Sequence, residues 1–379
     1  MFRSAFMGLC KCSAFRPTSL LTVLLLMATG PTMAQDPGNE GKPAKLFDSS
    51  ETLEVSLIAP WRELVRNKSY QGTYPAEIEY TDELGNVESL DLTVERRGVT
   101  RQQVCKIPPV KLQFEKGSAK GTTFRGQKSI KLVTHCQMAS KYEQYYILEM
   151  LAYRMHNLLT DYSFRVRPLK ITYHQTESGD SEKPRFSFIK KKKLEGPVFA
   201  FLIEDDSDVA DRHGLKKLKI PRVSPTQLDS DETALLALFQ YMISNLDWAA
   251  LRGHDPKECC HNVKLIGPKS LKPDDTIYAI PYDFDSSGLV NSEYAVPPNG
   301  LPIRRVTQRL YRGYCAHNPS LARARQKMFA NEQAIYDLVK AESRLEPGVQ
   351  RKTVNFLEKF FETIKDEEKY QEKIVQKCR

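Results

Sequence analysis

The stretch that decides how this chain is read begins Ser244-Asn245-Leu246-Asp247-Trp248. It continues through His261-Asn262-Val263-Lys264-Leu265 and ends Ile277-Tyr278-Ala279-Ile280-Pro281-Tyr282-Asp283-Phe284-Asp285. The first segment sits where an apolar helical pattern over 231–246 runs out, with Leu235, Leu238, Phe239, Met242 and Ile243 as its periodic residues. The second reads as a short strand, and the third as an apolar strand closed by two carboxylates. Singly, each polar residue has a structural use: Asn-Leu-Asp caps a helix, Asn262 makes a turn, and Asp283 ends a strand. Together they form an order with a chemical use. In phosphoryl transfer one aspartate orients the acceptor hydroxyl and takes its proton. An asparagine and a second aspartate hold Mg2+ against the nucleotide phosphates.

Outward from this stretch the chain changes character. Upstream it reads mostly as strands. Residues 76–80 and 90–95 alternate around a turn at 83–86 and form a hairpin, and further strands follow at 109–114 and 129–133 across a Gly/Lys-rich loop. Residues 142–159 carry Tyr146, Met150, Tyr153 and Leu158 at helical spacing without Gly or Pro. Strands at 166–173 and 197–204 come next. Downstream, residues 247–290 read as loop and short strands. Two long amphipathic helices, over 321–341 and 349–375, are divided by Pro347-Gly348. A β-rich part followed by an α-rich part implies a cleft between them.

Three motifs, Asn245-Leu246-Asp247, His261-Asn262 and Tyr282-Asp283-Phe284-Asp285, resemble the N-x-D, H-N and D-x-D motifs of the spore-coat CotH-type kinases, atypical secreted or surface kinases. Three upstream features are similar to the same family: Arg97-Gly98 at a strand end, Lys111 in Pro109-Val110-Lys111-Leu112, and Glu204 closing Ala200-Phe201-Leu202-Ile203-Glu204. The resemblance covers roughly residues 90–290 and implies an atypical protein-kinase-like two-lobed α+β fold. Its β-rich N-lobe would span 35–204 and its α-rich, catalytic C-lobe 205–379. It further implies Asp247 as catalytic aspartate, Asn262 and Asp283 as metal ligands with Asp285 assisting, and ATP with Mg2+ (or Mn2+). Lys111 matches the family's lysine strand, whereas Lys131 immediately precedes the helix, as a kinase lysine strand does. Glu149, or Glu143, is the candidate ion-pair partner of that lysine, and Glu204 lies at the nucleotide hinge. The chain has neither a G-x-G-x-x-G loop nor an H-R-D triplet. The activity implied is phosphoryl transfer to a protein or other extracytoplasmic acceptor. The alternatives are a catalytically silent kinase-like binding module, and nucleotidyl transfer from the same cleft.

The N-terminus bears on compartment. Arg3, Lys11 and Arg16 precede the apolar run 20–27, and Thr32-Met33-Ala34 offers small residues at −3 and −1, the layout of a cleaved secretory signal over 1–34. That apolar run is shorter than the roughly 20 residues a membrane span needs. Removing residues 1–34 lowers the formal charge from +9 to +6, a mild excess that argues against nucleic acid as partner. The run Lys190-Lys191-Lys192-Lys193 reads as a solvated loop. Six cysteines then remain, Cys105, Cys136, Cys259, Cys260, Cys315 and Cys378, an even count that favours disulfides in an exported protein. Adjacent Cys259 and Cys260 are expected to seek different partners. With His254 and His261 they match no usual zinc spacing. The mature chain is thus expected to be a soluble, secreted or periplasmic protein without a transmembrane segment.

Overall fold

An alternating segment ahead of the expected first hairpin, Leu53–Ala59, forms strand β1 in the computed structural model, with Leu53, Val55, Leu57 and Ala59 buried. The structure describes residues 46–67, 72–82, 84–98, 100–133, 135–137, 139–176 and 196–379, Thr100 by its backbone alone. The expected signal over 1–34 and the lysine run 190–193 lie outside the described residues. From β1 the chain passes through helix α1 (Trp61–Arg66) into the hairpin β2 (Thr73–Thr81) and β3 (Val87–Arg96). Helix α2 (Thr100–Val104) leads to β4 (Val110–Gln113) and β5 (Ser129–Val133). The long helix α3 (Ser140–Leu159) follows, and then β6 (Val166–Gln175) and β7 (Val198–Ile203).

These seven strands close into a barrel in the order β1-β2-β3-β4-β5-β7-β6. The closure is the parallel pairing of β1 with β6, from Leu53↔Leu169 to Ala59↔Gln175; the other ladders are antiparallel. This overturns the expected two-lobed kinase-like architecture. The strands expected from alternation are present, but β1 was not among them, and it is β1 that joins both edges of the sheet. Closure removes the open edges that a β-rich lobe would present. The barrel is filled by apolar side chains that include Leu57, Ile78, Val94, Leu112, Ile130, Leu132, Ile171 and Leu202.

Past β7 come α4 (Asp206–Arg212), β8 (Lys216–Lys217), α5 (Ser230–Met242), β9 (Val263–Gly267) and β10 (Tyr278–Pro281). Helices α6 (Leu321–Ala341), α7 (Pro347–Lys365) and α8 (Glu367–Lys373) complete the chain. Strands β8, β9 and β10 form a small separate sheet in the order β10-β9-β8. Helix α3 explains how the barrel and the helices become one body. Its residues Tyr146, Ile147, Met150, Leu151 and Met155 are buried in a single apolar cluster. That cluster takes in Val166, Phe199, Phe201 and Ile203 of the barrel wall, and Leu238, Phe239, Met328, Ile335, Phe360 and Phe361 of α5, α6 and α7. All described residues belong to one compact unit.

Two helices differ from their expected bounds for local reasons. α5 stops at Met242 because Ser244 takes a left-handed φ of 52°, which no helix continues. The expected helix 349–375 is two helices. Asp366 caps the second, accepting the Lys369 N–H at 3.0 Å.

Among the described residues three disulfides join Cys105–Cys136, Cys259–Cys260 and Cys315–Cys378. Cys259 and Cys260 are bonded to each other, with a cis peptide between them and Cα atoms 3.1 Å apart, so the expectation of separate partners is corrected. In chain-entropy terms the other two, closing loops of 31 and 63 residues, are each worth about 3–4 kcal/mol. Such bonds are compatible with an oxidising, extracellular compartment. Among the described residues no helix is long and apolar enough to cross a membrane.

Candidate functional site

The β9–β10 ladder pairs Val263 with Pro281, so Asn262 and Tyr282 meet just beyond its end, where the Tyr282 N–H donates to the Asn262 carbonyl at 3.1 Å. Asp283 follows immediately. Asn262 (φ 51°) and Asp283 (φ 62°) both adopt the left-handed conformation. This costs an ordinary L-residue roughly 1–2 kcal/mol, and Asn and Asp tolerate it best. Backbone outliers of this kind gather where a fold aims side chains at a functional site.

Asp247 reaches the same place from the end of α5. Its N–H donates to Asn245 Oδ1 at 3.1 Å, and Ala249 exchanges backbone hydrogen bonds with His261 at 2.9 and 3.0 Å. The exchange holds residue 247 beside residue 262. Asn262 Nδ2 donates to the Asp247 carbonyl at 2.8 Å and to its Oδ2 at 3.0 Å, while His261 Nε2 lies 2.6 Å from Asp247 Oδ1. The side chain of Asp247 remains 39 % exposed, open to an incoming group. On the far side the Asp283 N–H donates to the hydroxyl of Tyr153, on α3, at 2.8 Å. The structure therefore brings Asp247, Asn262 and Asp283 together at one hairpin end.

Burial is the main reason that the Asp283 carboxyl is pushed up to about 6; the charges of Asp285 and Asp247 add to it, and Arg101 and Arg97 oppose it. His261 is raised by its hydrogen bond to Asp247. Around Tyr282 the sign reverses. Lys131 Nζ lies 5.1 Å and Lys264 Nζ 5.3 Å from the Tyr282 ring centre, and Arg97 is near enough to act on Lys131. Burial first, then Arg97, lowers Lys131 to about 8, and no carboxylate forms a salt bridge with it among the described residues. Arg97 Nε is likewise buried without a hydrogen-bond partner.

The remaining sequence candidates have other employment. Lys111 is the cross-strand neighbour of Lys131, but it is ion-paired to Glu95 at 2.5 Å. Glu149 pairs with Arg101 of α2 and not with a lysine. Arg101 Nε also donates to Asp285 Oδ2 at 2.8 Å, and the Tyr294 hydroxyl donates to the same oxygen at 3.1 Å. Asp285 is thus held by Arg101 and Tyr294, which leaves it a weaker candidate ligand than Asp283. Burial pushes the Glu149 carboxyl up to about 7 in spite of the Arg101 charge, and the charges of Asp285 and Asp283 add to it. Glu204 accepts the Arg165 N–H at 2.9 Å and Arg212 at 3.2 Å, which ties it to its own corner of the barrel.

Sequence reading gave no role to Arg101, Lys264, Tyr282 or Tyr153. Lys264 had a usable signal, since it lies in the short strand that Asn262 leads into, two residues from that candidate ligand. Arg101 had none: its partners lie 48 and 184 residues away.

Among the described residues no three His, Cys, Asp or Glu side chains form a ready-made metal cage. Mg2+ does not need one, being commonly held by one or two carboxylates together with substrate phosphates and water. Asp283, with the side-chain Oδ1 of Asn262, fits that more modest donor set.

A broad cleft of about 1230 Å³ adjoins the site on the Asp247 side, lined in part by Arg222, Ala249, Leu251, His254, Tyr314 and Arg379. In comparison with known proteins, no family model matches the chain and no curated protein is significantly similar to it.

Proposed function

We propose that this chain is an exported phosphotransferase that uses ATP with Mg2+ or Mn2+ and acts on an extracytoplasmic acceptor. One observation carries the reading: an aspartate–asparagine–aspartate set and a cluster of cations meet at one end of the β9–β10 hairpin. Carboxylate and amide oxygens suit a hard cation; lysine and arginine suit the phosphates that such a cation accompanies. The motif order shared with the spore-coat CotH-type kinases supports the same chemistry, on a barrel in place of a kinase-like fold.

In this reading Asp283 and the side-chain Oδ1 of Asn262 would hold the metal ion. When bound, the ion neutralises charge on the phosphates and on the leaving group. Lys131, largely protonated at neutral pH, and Arg97 receive phosphate oxygens. Tyr282 and Tyr153 keep the end of the hairpin in place. Asp247 points one oxygen at His261 and the other at Asn262, and it takes the proton of the acceptor hydroxyl. As that O–H bond breaks, the acceptor oxygen bonds to the γ-phosphorus. The bond from phosphorus to the β,γ-bridging oxygen breaks, and ADP leaves.

The test is incubation of the protein with γ-labelled ATP, Mg2+ or Mn2+ and candidate acceptors, with mass spectrometry of the products. A gain of one phosphate on the acceptor is expected. Asp247→Asn should cut the rate by about 10²–10⁴-fold while leaving nucleotide binding intact, the usual contribution of a positioned general base. Transfer of a nucleotidyl group would contradict the phosphoryl assignment.

A further inference from the structure

The cleft beside Asp247 has a rim of unneutralised arginines. Arg222 and Arg252 face each other across an isolated antiparallel bridge, and the Val223 N–H donates to the Leu251 carbonyl next to it at 3.0 Å. Residues directly opposite in such a pair project to the same face with Cβ atoms about 4.5–5.5 Å apart, and like charges there repel. Both side chains are exposed, and neither makes a salt bridge among the described residues. Arg379 adds a third guanidinium, 5.1 Å from the centre of the Tyr314 ring that also lines the cleft. Asp255 is the one side-chain carboxylate among the lining residues, and its Oδ1 accepts the Lys257 N–H of its own turn at 2.8 Å.

An anion placed between these guanidinium groups would relieve their repulsion. The volume of about 1230 Å³ exceeds the roughly 300–1,000 Å³ of small-molecule sites, and Pro221, Pro225 and Pro256 stiffen its walls. The cleft also leads to the chemistry. Ala249 lines it two residues beyond Asp247 and is hydrogen-bonded to His261; the His254 ring stands edge-on to His261 at 4.3 Å.

We infer that the cleft is the acceptor site, and that it binds an acidic peptide segment whose carboxylates pair with Arg222, Arg252 and Arg379 while a hydroxyl is presented to Asp247. The acceptor role rests on the phosphotransferase reading; binding of an acidic peptide does not.

The experiment is fluorescence anisotropy on the full chain with a labelled peptide rich in Glu and Asp around one serine. A basic peptide and a single-stranded oligonucleotide of equal charge serve as comparators. The acidic peptide should bind, and its affinity should fall with added salt. Arg222→Gln with Arg252→Gln should weaken it by about 10–100-fold, the loss of two charge-assisted contacts. Arg304→Gln with Arg305→Gln, an equal charge change at exposed positions outside the cleft lining, should leave it unchanged. Undiminished binding by the cleft variant, equal binding of the basic peptide, or tighter binding of the oligonucleotide would overturn the inference. Binding of a non-hydrolysable ATP analogue, measured on the same proteins, separates the two claims. Peptide binding without nucleotide binding keeps the acidic-peptide cleft and removes the phosphotransferase reading; nucleotide binding without peptide binding does the reverse.

Discussion

Asp283 is the residue on which the electrostatics of the site turn. Its carboxyl titrates at about 6 against an ordinary 3.8, so the folded protein holds this proton more tightly than the unfolded chain does. The stability that this proton contributes is complete below pH 3.8 and is lost as pH rises through about 6. Above that pH the protein carries a half-buried, repelled charge that an amide would not. Asp283→Asn should therefore raise stability above pH 6 by roughly 1–3 kcal/mol, read as a higher denaturant midpoint. A lowered midpoint would show that the carboxylate is structurally satisfied. Lys131, lowered to about 8, sets the opposite limb. Metal binding needs Asp283 deprotonated and phosphate binding needs Lys131 protonated. The affinity for metal–nucleotide should thus rise as pH passes about 6 and fall as it passes about 8. A profile flat across both values would remove these two residues from the site.

At the scale of elements, the hairpin β9–β10 and the turn after α5 build the site together, and Gly288 is where they are joined. The Gly288 N–H donates to the Ser244 carbonyl at 3.0 Å, and a Cβ on Gly288 would stand 2.5 Å from the Val306 carbonyl oxygen and 2.7 Å from Ser244 Cβ. Gly288→Ala should displace the Ser244 turn that leads into Asp247, costing about 1–3 kcal/mol in thermal unfolding. An unchanged melting temperature would show that this turn has room to give. Much of this level was legible in the sequence. Alternation marked the hairpin strands at 76–80 and 90–95, the strands at 129–133 and 166–173 were also read, and the carboxylate-terminated strand before Asp283 fell where β10 ends. Asn262 was readable because it precedes a short strand. β1 was missed because a seven-residue alternating segment ahead of a short helix carries little signal until its partner β6, more than a hundred residues on, is known. Arg101 was missed for the same reason: nothing local marks an arginine whose two carboxylates come from α3 and from the end of β10. The Cys259–Cys260 bond was misread because separate partners are the ordinary expectation for adjacent cysteines.

For the molecule as a whole, the closed barrel and the helices share one apolar core, with α3 between them. Its buried Tyr153 and Glu149 reach the end of the hairpin directly and through Arg101. The fold therefore supplies what the proposed chemistry asks for: rigid strand ends for Asn262 and Asp283, a barrel strand for Lys131, and an open side next to Asp247. The central claim is that this site binds a nucleotide through a metal held by Asp283. Titration calorimetry with a non-hydrolysable ATP analogue, with and without Mg2+ or Mn2+, tests it on the wild-type protein and on Asp283→Ala. Binding that requires the metal in the wild type and is weakened in Asp283→Ala is the result predicted. A wild-type protein that binds no nucleotide with either metal, or a variant that binds as well as the wild type, would contradict it.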